Sequence, residues 1–199
     1  MVTAGQRYAL SFTSGALLTR EALVAAPIYL RERDWAVTRA HMRDENLLQA
    51  RTAQSSTRML GELIPRLQVL TDVELEIVAE GTSTERDHLM WVSACRRYLL
   101  IGEFAEEVLR DRFLTLAGTV TYDDFDSFYR GKTLWHDELG TLTELSYKKA
   151  RQVVFKMMVE AGLLTSQGVI EPPLFSVRVA ECLRHRTPSD IRFFPTRET

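Results

Sequence analysis

The chain has 199 residues, of which 45% are hydrophobic and 26% are charged, and its formal net charge is −2. This composition is typical of a soluble globular protein with a buried core. No apolar run approaches the ~18 residues that cross a bilayer, and two cysteines without a CxxC pair do not form a disulfide framework. We expect no secretory signal, and therefore a cytoplasmic protein that contacts no membrane.

The charges are distributed unevenly along the chain. Residues 1–70 and 139–199 each carry a net charge of +3, whereas residues 71–138 carry −8. Arginine supplies 21 of the 25 basic residues, and its guanidinium binds phosphate and guanine edges better than a lysine ammonium does. Two basic ends around an acidic middle indicate that the ends bind a polyanion. A GC-rich genome is the alternative explanation for the excess of arginine codons.

The apolar spacing predicts a mainly α-helical protein. Ser, Thr and Asp side chains that can cap a helix N-terminus precede most of the predicted helices. Gly102 is predicted to divide a long helical stretch that ends at Gly118, and the turn around Gly81 separates two predicted domains, 1–80 and 83–199. In chain order, the predicted helices start at Thr13 or Ser14, Asp34, Thr52, Thr71, Ser83 or Thr84, Thr121 and Ser146.

The C-terminal region has the order of elements found in a winged helix. A short amphipathic segment precedes the helix that starts at Ser146, Gly162 is its expected C-terminal stop, and residues 163–172 are predicted to form a small β-hairpin. The N-terminal half of such a helix enters the major groove of DNA. Its candidate contacts with phosphates and base edges are Lys148, Lys149, Arg151 and Gln152. A winged helix used only for protein docking is the alternative.

A second, weaker candidate lies in the N-terminal region. The helices predicted from Asp34 and Thr52 form a helix-turn-helix in outline, with polar and basic residues at the start of the second helix. Hydroxyl and guanidinium groups of this kind bind phosphates. The alternative is an ordinary first helical turn without a ligand. The candidate DNA-binding residues here are Arg51, Ser55, Ser56 and Arg58.

The sequence offers little support for an enzyme. It contains no P-loop, dinucleotide-binding, HExxH or GxSxG motif. Asp123, Asp124 and Asp126 are the ligand type of metal-dependent nucleases, but adjacent helical residues point about 100° apart, so the first two do not converge simply. We expect them to stabilise a helix N-terminus instead. No catalytic residue, metal or cofactor is therefore predicted.

The sequence resembles the BrxA family, the small non-enzymatic component of BREX bacteriophage-exclusion systems. The resemblance covers nearly the whole chain, through diffuse motifs without a catalytic signature. It implies a small, mostly helical protein that binds double-stranded DNA beside a methyltransferase, an ATPase and a phosphatase-like protein. The matching features are Ser11-Phe12, Glu21, Trp35, Glu45-Asn46-Leu47-Leu48, Arg51, Ser56-Thr57-Arg58, Arg66-Leu67, Leu70, the segment 125–129 and the helix from Ser146 with Ala161-Gly162-Leu163-Leu164.

Two functions follow from the residues and the resemblance together. In the first, the protein is a DNA-binding accessory factor that contacts phosphates with both basic ends. In the second, it is an assembly adaptor whose acidic middle or C-terminal unit docks another component of the defence complex, with little DNA affinity of its own.

Overall fold

A computed structural model describes residues 8–13 and 15–198, and the mainly α-helical prediction is confirmed. A π-helical segment spans Ala105–Arg110, and Ser11–Thr13 and Asp190–Phe193 form 3₁₀ turns. None of the described helices is both long and apolar enough to cross a bilayer. The helices are α1 (Thr19–Glu32), α2 (Trp35–Asp44), α3 (Ala53–Leu67), α4 (Asp72–Glu80), α5 (Ser83–Arg97), α6 (Leu99–Phe104), α7 (Asp111–Leu114), α8 (Tyr122–Thr133), α9 (Asp137–Gly140), α10 (Glu144–Glu160) and α11 (Val177–Arg184).

Side-chain caps begin several helices where the sequence predicts them. Asp34 accepts hydrogen bonds from two backbone N–H groups in the first turn of α2. Thr71 forms a capping box with Glu74 at the start of α4, and Thr121 forms one with Asp124 at the start of α8. These caps satisfy N–H groups that have no partner inside the helix. Asp124 thus stabilises a helix N-terminus, as predicted for this acidic cluster.

Two helices begin at other residues than predicted. α1 begins at Thr19 rather than near Thr13, because the residues just before it turn into the core, and Ser14 lies outside the described residues. α10 begins after Thr143, whose hydroxyl accepts the backbone N–H of Ser146 at 3.2 Å. Ser146 is therefore the third residue of the helix and not its cap.

The long helical stretch after Gly81 divides at Tyr98 rather than at Gly102. Tyr98 has an extended backbone, with φ −119° and ψ 99°, and its buried hydroxyl donates to Glu62 at 2.7 Å. Gly102 lies inside α6, where a Cβ atom would come within 2.8 Å of the carbonyl oxygen of Cys95. This glycine therefore allows α6 to approach the end of α5 closely, and it does not interrupt the helix.

Helix α5 is the centre of the molecule. It contacts α1, α3, α4, α10 and α11, and its residues from His88 to Cys95 are all buried. A helix that is buried on every side is a core helix, whereas a surface helix has one apolar stripe. Trp91 of α5 donates its indole N–H to the carbonyl oxygen of Phe193 at 2.9 Å, which holds the C-terminal 3₁₀ turn against the core.

A buried ion-pair network also joins α5 to its neighbours. The guanidinium of Arg96 lies 2.5 Å from a carboxylate oxygen of Glu74 in α4 and 2.7 Å from one of Asp190 in the C-terminal turn. Buried apolar residues from Tyr8 to Phe194 form a single cluster around these contacts. The division into domains 1–80 and 83–199 stays a prediction.

The predicted β-hairpin near the C-terminus is not present. The described part of the chain contains no β-strand, and residues 163–171 form a turn with Gly168 at φ +80°. Positions 172 and 173 are prolines, which have no N–H to extend a strand ladder. The winged-helix prediction is therefore wrong in its hairpin, whereas the preceding helix is confirmed. Two isolated antiparallel bridges are present, Leu164 with Ile170 and Thr119 with Val169.

Candidate nucleic-acid interface

A cavity of about 1000 Å³ lies where helices from both ends of the chain meet. Its walls come from the N-terminal halves of α1, α3 and α5 and from one face of α10. Cationic side chains outnumber anionic ones on these walls, which makes the surface suited to a negatively charged ligand. The cations are Arg20, Arg58, Arg86, Lys149 and Lys156, and the anions are Glu21, Asp87 and Glu160.

Arg58 and Lys149 bring the two predicted basic sites together. Arg58 belongs to the N-terminal candidate and Lys149 to the C-terminal one, yet both line this cavity. Both side chains are exposed, and neither has a carboxylate of the described residues within 4.0 Å. The two basic ends of the chain therefore share one surface, on which these two cations are available to a ligand.

Arg151 does not belong to that surface. Its Nη1 atom lies 2.6 Å from each carboxylate oxygen of Asp126, and its guanidinium stacks 4.4 Å from the ring centroid of Tyr122. Burial alone would lower the pKa of Arg151, but the hydrogen bonds and charge of Asp126 raise it. In this conformation the guanidinium of Arg151 is bound to Asp126 of α8, and a DNA contact at Arg151 stays a prediction.

The other two candidates on α10 are exposed. Lys148 forms an ion pair with Glu144, one helical turn earlier, with 2.6 Å between Nζ and a carboxylate oxygen. Gln152 is exposed, and its position three residues after Lys149 places it near the same helix face. Lys149 and Gln152 are thus both exposed on α10. Lys149 has no carboxylate of the described residues within 4.0 Å, and Gln152 is uncharged.

The N-terminal candidates differ in their accessibility. Arg51 is exposed just before α3. Ser55 lines the cavity, but its hydroxyl belongs to a capping box with Thr52 and donates to the carbonyl oxygen of Thr52 at 2.8 Å. Ser56 is only 3% exposed and its hydroxyl has no hydrogen-bond partner among the described residues. The Ser56 side chain thus faces the core, and a phosphate contact at this residue stays a prediction.

The helix-turn-helix outline in this region is held by a local contact. Residues 45–52 connect α2 to α3, and the side-chain oxygen of Asn46 accepts the backbone N–H of Ala50 at 3.0 Å. The ring of Trp35, at the start of α2, stacks on Tyr29 of α1 with 3.8 Å between centroids. The connection is thus ordered by side chains, and α3 presents its first turns to the cavity.

Sequence reasoning missed Arg20, Arg86 and Lys156. Arg86 has the least exposure of the three, at 9%, and it lies one turn into α5. None of these residues stands in a recognisable motif, so spacing alone carried no signal for them. A search for isolated cations in the first turns of predicted helices would have found Arg20 and Arg86.

Three carboxylates moderate the positive charge of the cavity. Glu160 accepts the backbone N–H of Leu17 at 2.8 Å, and its other oxygen lies 3.6 Å from Nζ of Lys156. Burial raises the pKa of Asp87, and the charge of Glu160 adds to this increase. Glu160 thus contacts Leu17 and Lys156, whereas Arg20, Arg58 and Lys149 are exposed and have no carboxylate of the described residues within 4.0 Å.

Comparison with known proteins places this arrangement in a family. The sequence model of the BrxA family matches residues 6–187. The chain belongs to the BrxA family. The matched range includes α1 to α11 and therefore all residues that line the cavity.

Curated relatives support the BrxA assignment. The chain is similar to "BREX protein BrxA" of Bacillus cereus (strain H3081.97), with 25% identity over 143 residues, 70% of this chain and 72% of the relative. It is also similar to "BREX protein BrxA" of Escherichia coli O9:H4 (strain HS), with 24% identity over 148 residues, 74% of this chain and 70% of the relative.

A solved structure shares the fold of this BrxA-family chain. The crystal structure of an uncharacterized protein from Magnetospirillum magneticum matches with a TM-score of 0.79 and 21% identity. The match covers 96% of this chain and 100% of that protein. The helical arrangement is therefore shared along nearly the full length of both chains.

Proposed function

We propose that the protein is a non-enzymatic, double-stranded-DNA-binding accessory component of a BREX bacteriophage-exclusion system. The family supports the place in BREX, because curated relatives carry the name "BREX protein BrxA". The proposed site of action is the cytoplasm, where the methyltransferase, ATPase and phosphatase-like components would act on the same DNA.

One observation carries the DNA-binding part of this proposal. Arg58 and Lys149 come from opposite ends of the chain, yet they line one cavity without ion-pair partners among the described residues. Unpaired surface cations that converge are suited to phosphate oxygens, because each contact releases counterions from the DNA. Phosphate contacts of this kind give affinity with little sequence preference.

The remaining accessible candidates extend the proposed interface. Arg51 lies just before α3, and Lys148 and Gln152 lie on the first half of α10. An amide such as Gln152 can bind adenine edges in the major groove, whereas Lys148 can bind phosphate after it leaves Glu144. The role is proposed as binding rather than catalysis, since these side chains recognise DNA without chemical change.

The test is a duplex-binding measurement with charge reversal at the two converging cations. Fluorescence anisotropy of a labelled random duplex, between about 50 and about 200 mM salt, gives both affinity and its salt dependence. Wild-type protein should bind with an affinity that falls steeply with salt, and Arg58→Glu with Lys149→Glu should abolish binding.

Arg31→Glu with Arg33→Glu is the matched control. It makes the same charge change at the opposite end of α1 from the cavity. Equal loss of affinity in the control and in the Arg58/Lys149 variant would contradict the proposed interface. The absence of duplex binding by wild-type protein at the lower salt would contradict DNA binding itself.

A second candidate function is that of an assembly adaptor. Leu134, Trp135 and Leu145 flank α9, and Trp135 is 83% exposed. Exposed large apolar side chains are typical of protein-binding surfaces. The adaptor function predicts that Trp135→Ala removes a BREX component, such as the methyltransferase or ATPase, from pull-downs while duplex affinity is unchanged. Unchanged pull-downs would contradict it.

A further inference from the structure

Arg86 is a buried cation without a carboxylate partner among the described residues. It is 9% exposed, and no described carboxylate oxygen lies within 4.0 Å of its guanidinium. Its Nε donates to the carbonyl oxygen of Val78 at 2.6 Å and its Nη2 to that of Gly81 at 2.8 Å. Buried charges in proteins are normally paired with an opposite charge, because their desolvation is costly. Arg86 thus has no ion-pair partner within 4.0 Å among the described residues, although burial raises the pKa of the neighbouring Asp87 and the charge of Arg86 acts against that rise.

The free edge of Arg86 is available to the cavity. Arg86 lines the cavity, and its Nη1 donates to none of the described residues and is not fully enclosed by protein. The two carbonyl contacts hold the guanidinium in one orientation. A guanidinium held in this way is preorganised to form hydrogen bonds with an anionic oxygen, and phosphate matches its planar donor geometry.

The cavity wall offers further donors beside Arg86. These donors are Ser83, in the first turn of α5, and Thr19 and Arg20, in the first turn of α1. α1 begins after Leu18 without a side-chain cap among the described residues, so the first N–H groups of this helix lack that partner. Free N–H groups at a helix N-terminus bind phosphate, and the helix dipole adds to the attraction.

This wall already binds one anionic group of the protein itself. The carboxylate of Glu160, which lines the cavity, accepts the backbone N–H of Leu17 at 2.8 Å. A backbone amide beside the start of α1 is thus able to hold an anion in this place. The same carboxylate lowers the net positive charge that a second anion would meet.

The cavity is large enough for a small-molecule ligand. Its volume of about 1000 Å³ lies at the upper end of the ~300–1,000 Å³ range of small-molecule sites. Because Arg86 is recessed, a phosphate within the body of a duplex cannot easily reach it, whereas a terminal phosphate can. The surrounding Arg20, Arg58 and Lys149 suit a group with two negative charges.

We propose that this cavity binds a nucleotide-sized phosphomonoester, with Arg86 as the buried anchor for the phosphate. The phosphomonoester comes either from a free nucleotide or from the phosphorylated 5′ end of a DNA strand. The site shares Arg58 and Lys149 with the proposed duplex interface, and Arg86, which is 9% exposed, is its additional anchor. Binding of the phosphomonoester without duplex binding would support this site and contradict only the proposed function.

Calorimetric titration of the full chain with deoxyadenosine 5′-monophosphate tests the site. We expect one molecule to bind per chain, and deoxyadenosine without the phosphate to bind at least about tenfold more weakly, since hydrogen bonds to charged groups are strong. Arg86→Gln should weaken binding of the monophosphate by at least about tenfold. Equal affinity for the two compounds, or wild-type affinity in a folded Arg86→Gln protein, would overturn the proposal.

A second variant, Glu160→Gln, tests the site even if Arg86→Gln does not fold. Glu160→Gln keeps an oxygen that can accept the N–H of Leu17 but removes the competing negative charge. We expect its affinity for the monophosphate to rise by about threefold or more, as like charges near a ligand oppose its binding. An unchanged or lower affinity in this variant would overturn the proposal.

Two oligonucleotides separate the possible sources of the phosphate. A single-stranded hexanucleotide with a 5′-phosphate is compared with the same strand with a 5′-hydroxyl. Tighter binding of the phosphorylated strand, lost in Arg86→Gln, assigns the site to DNA ends. Binding of the monophosphate alone assigns it to a free nucleotide. Failure of both the monophosphate and the phosphorylated strand to bind would overturn the site.

Discussion

The guanidinium of Arg151 in α10 is fixed by the carboxylate of Asp126 in α8, with Nη1 at 2.6 Å from both carboxylate oxygens. The hydroxyl of Tyr147 donates to the same carboxylate. Burial opposes ionisation of Asp126, but the bonds from Tyr147 and Arg151 lower its pKa below the ordinary value. This contact joins two helices and leaves Lys149, two residues earlier, to face the cavity.

Arg151→Gln should therefore affect stability more than DNA binding. The change leaves the Asp126 carboxylate without its ion-pair partner, and we expect the free energy of unfolding to fall by about 1–3 kcal/mol. Lys149→Gln removes the same charge from the same helix but should change stability by less than about 0.5 kcal/mol. Urea unfolding and duplex anisotropy on both variants check this pair. A larger loss of duplex affinity in folded Arg151→Gln than in Lys149→Gln would contradict the assignment.

The salt dependence of duplex binding should report individual phosphate contacts. We expect Arg58→Gln and Lys149→Gln each to reduce the slope of log affinity against log salt by about 1. Lys148→Gln should reduce it less, because Glu144 already pairs with that ammonium. Anisotropy titrations at several salt concentrations measure the three slopes. Equal slopes in wild-type and Lys149→Gln proteins would show that Lys149 contacts no phosphate.

Ser56→Ala should be tolerated. The Ser56 hydroxyl is buried without a hydrogen-bond partner among the described residues, so its removal should leave the free energy of unfolding unchanged or raise it by up to about 1 kcal/mol. Duplex affinity should not change. Ser55→Ala is the control, because it breaks the capping box with Thr52 and should cost about 0.5–1 kcal/mol. Thermal and urea unfolding compare the two, and a loss of duplex affinity in folded Ser56→Ala would place Ser56 at the interface after all.

His88 should make the protein less stable in mild acid. It packs edge-on to Phe175 and Phe194 in the core, and burial lowers its pKa to about 4, against a smaller opposing effect of Glu85. Unfolded histidine has a pKa of about 6.5, so between these two values the unfolded chain binds a proton that the folded chain does not. Stability from neutral His88 is therefore complete above pH ~6.5 and is lost as the pH falls toward 4.

Urea unfolding at pH 7 and pH 5 measures this effect. We expect His88 to lower the free energy of unfolding by about 1–2 kcal/mol over this interval. His88→Phe removes the titrating group but keeps an aromatic ring, so its two values should lie closer together than those of the wild type. An identical difference between the two pH values in both proteins would show that other groups titrate in this range.

Several elements were predictable because their signals are local. Asp34, Thr71 and Thr121 cap helices at the predicted positions, since a capping side chain needs only the N–H groups that follow it. α10 begins before the predicted Ser146, because Thr143, three residues earlier, caps the helix. The predicted hairpin is not present, because the segment after its turn is too short to form a strand before Pro172 and Pro173. The spacing of apolar residues does not show how long a strand can be.

The helical class, most helix starts, the family resemblance and the two basic ends were all predictable from the amino-acid sequence, because they depend on residue type and short spacing. Which cations have an ion-pair partner among the described residues depends instead on how the helices pack. Arg151 and Lys149 have similar charge and neighbouring positions, yet Asp126 from another helix engages one and leaves the other exposed. Arg58 and Lys149 meet across one cavity because packing around α5 brings distant segments together, and no local pattern encodes that approach.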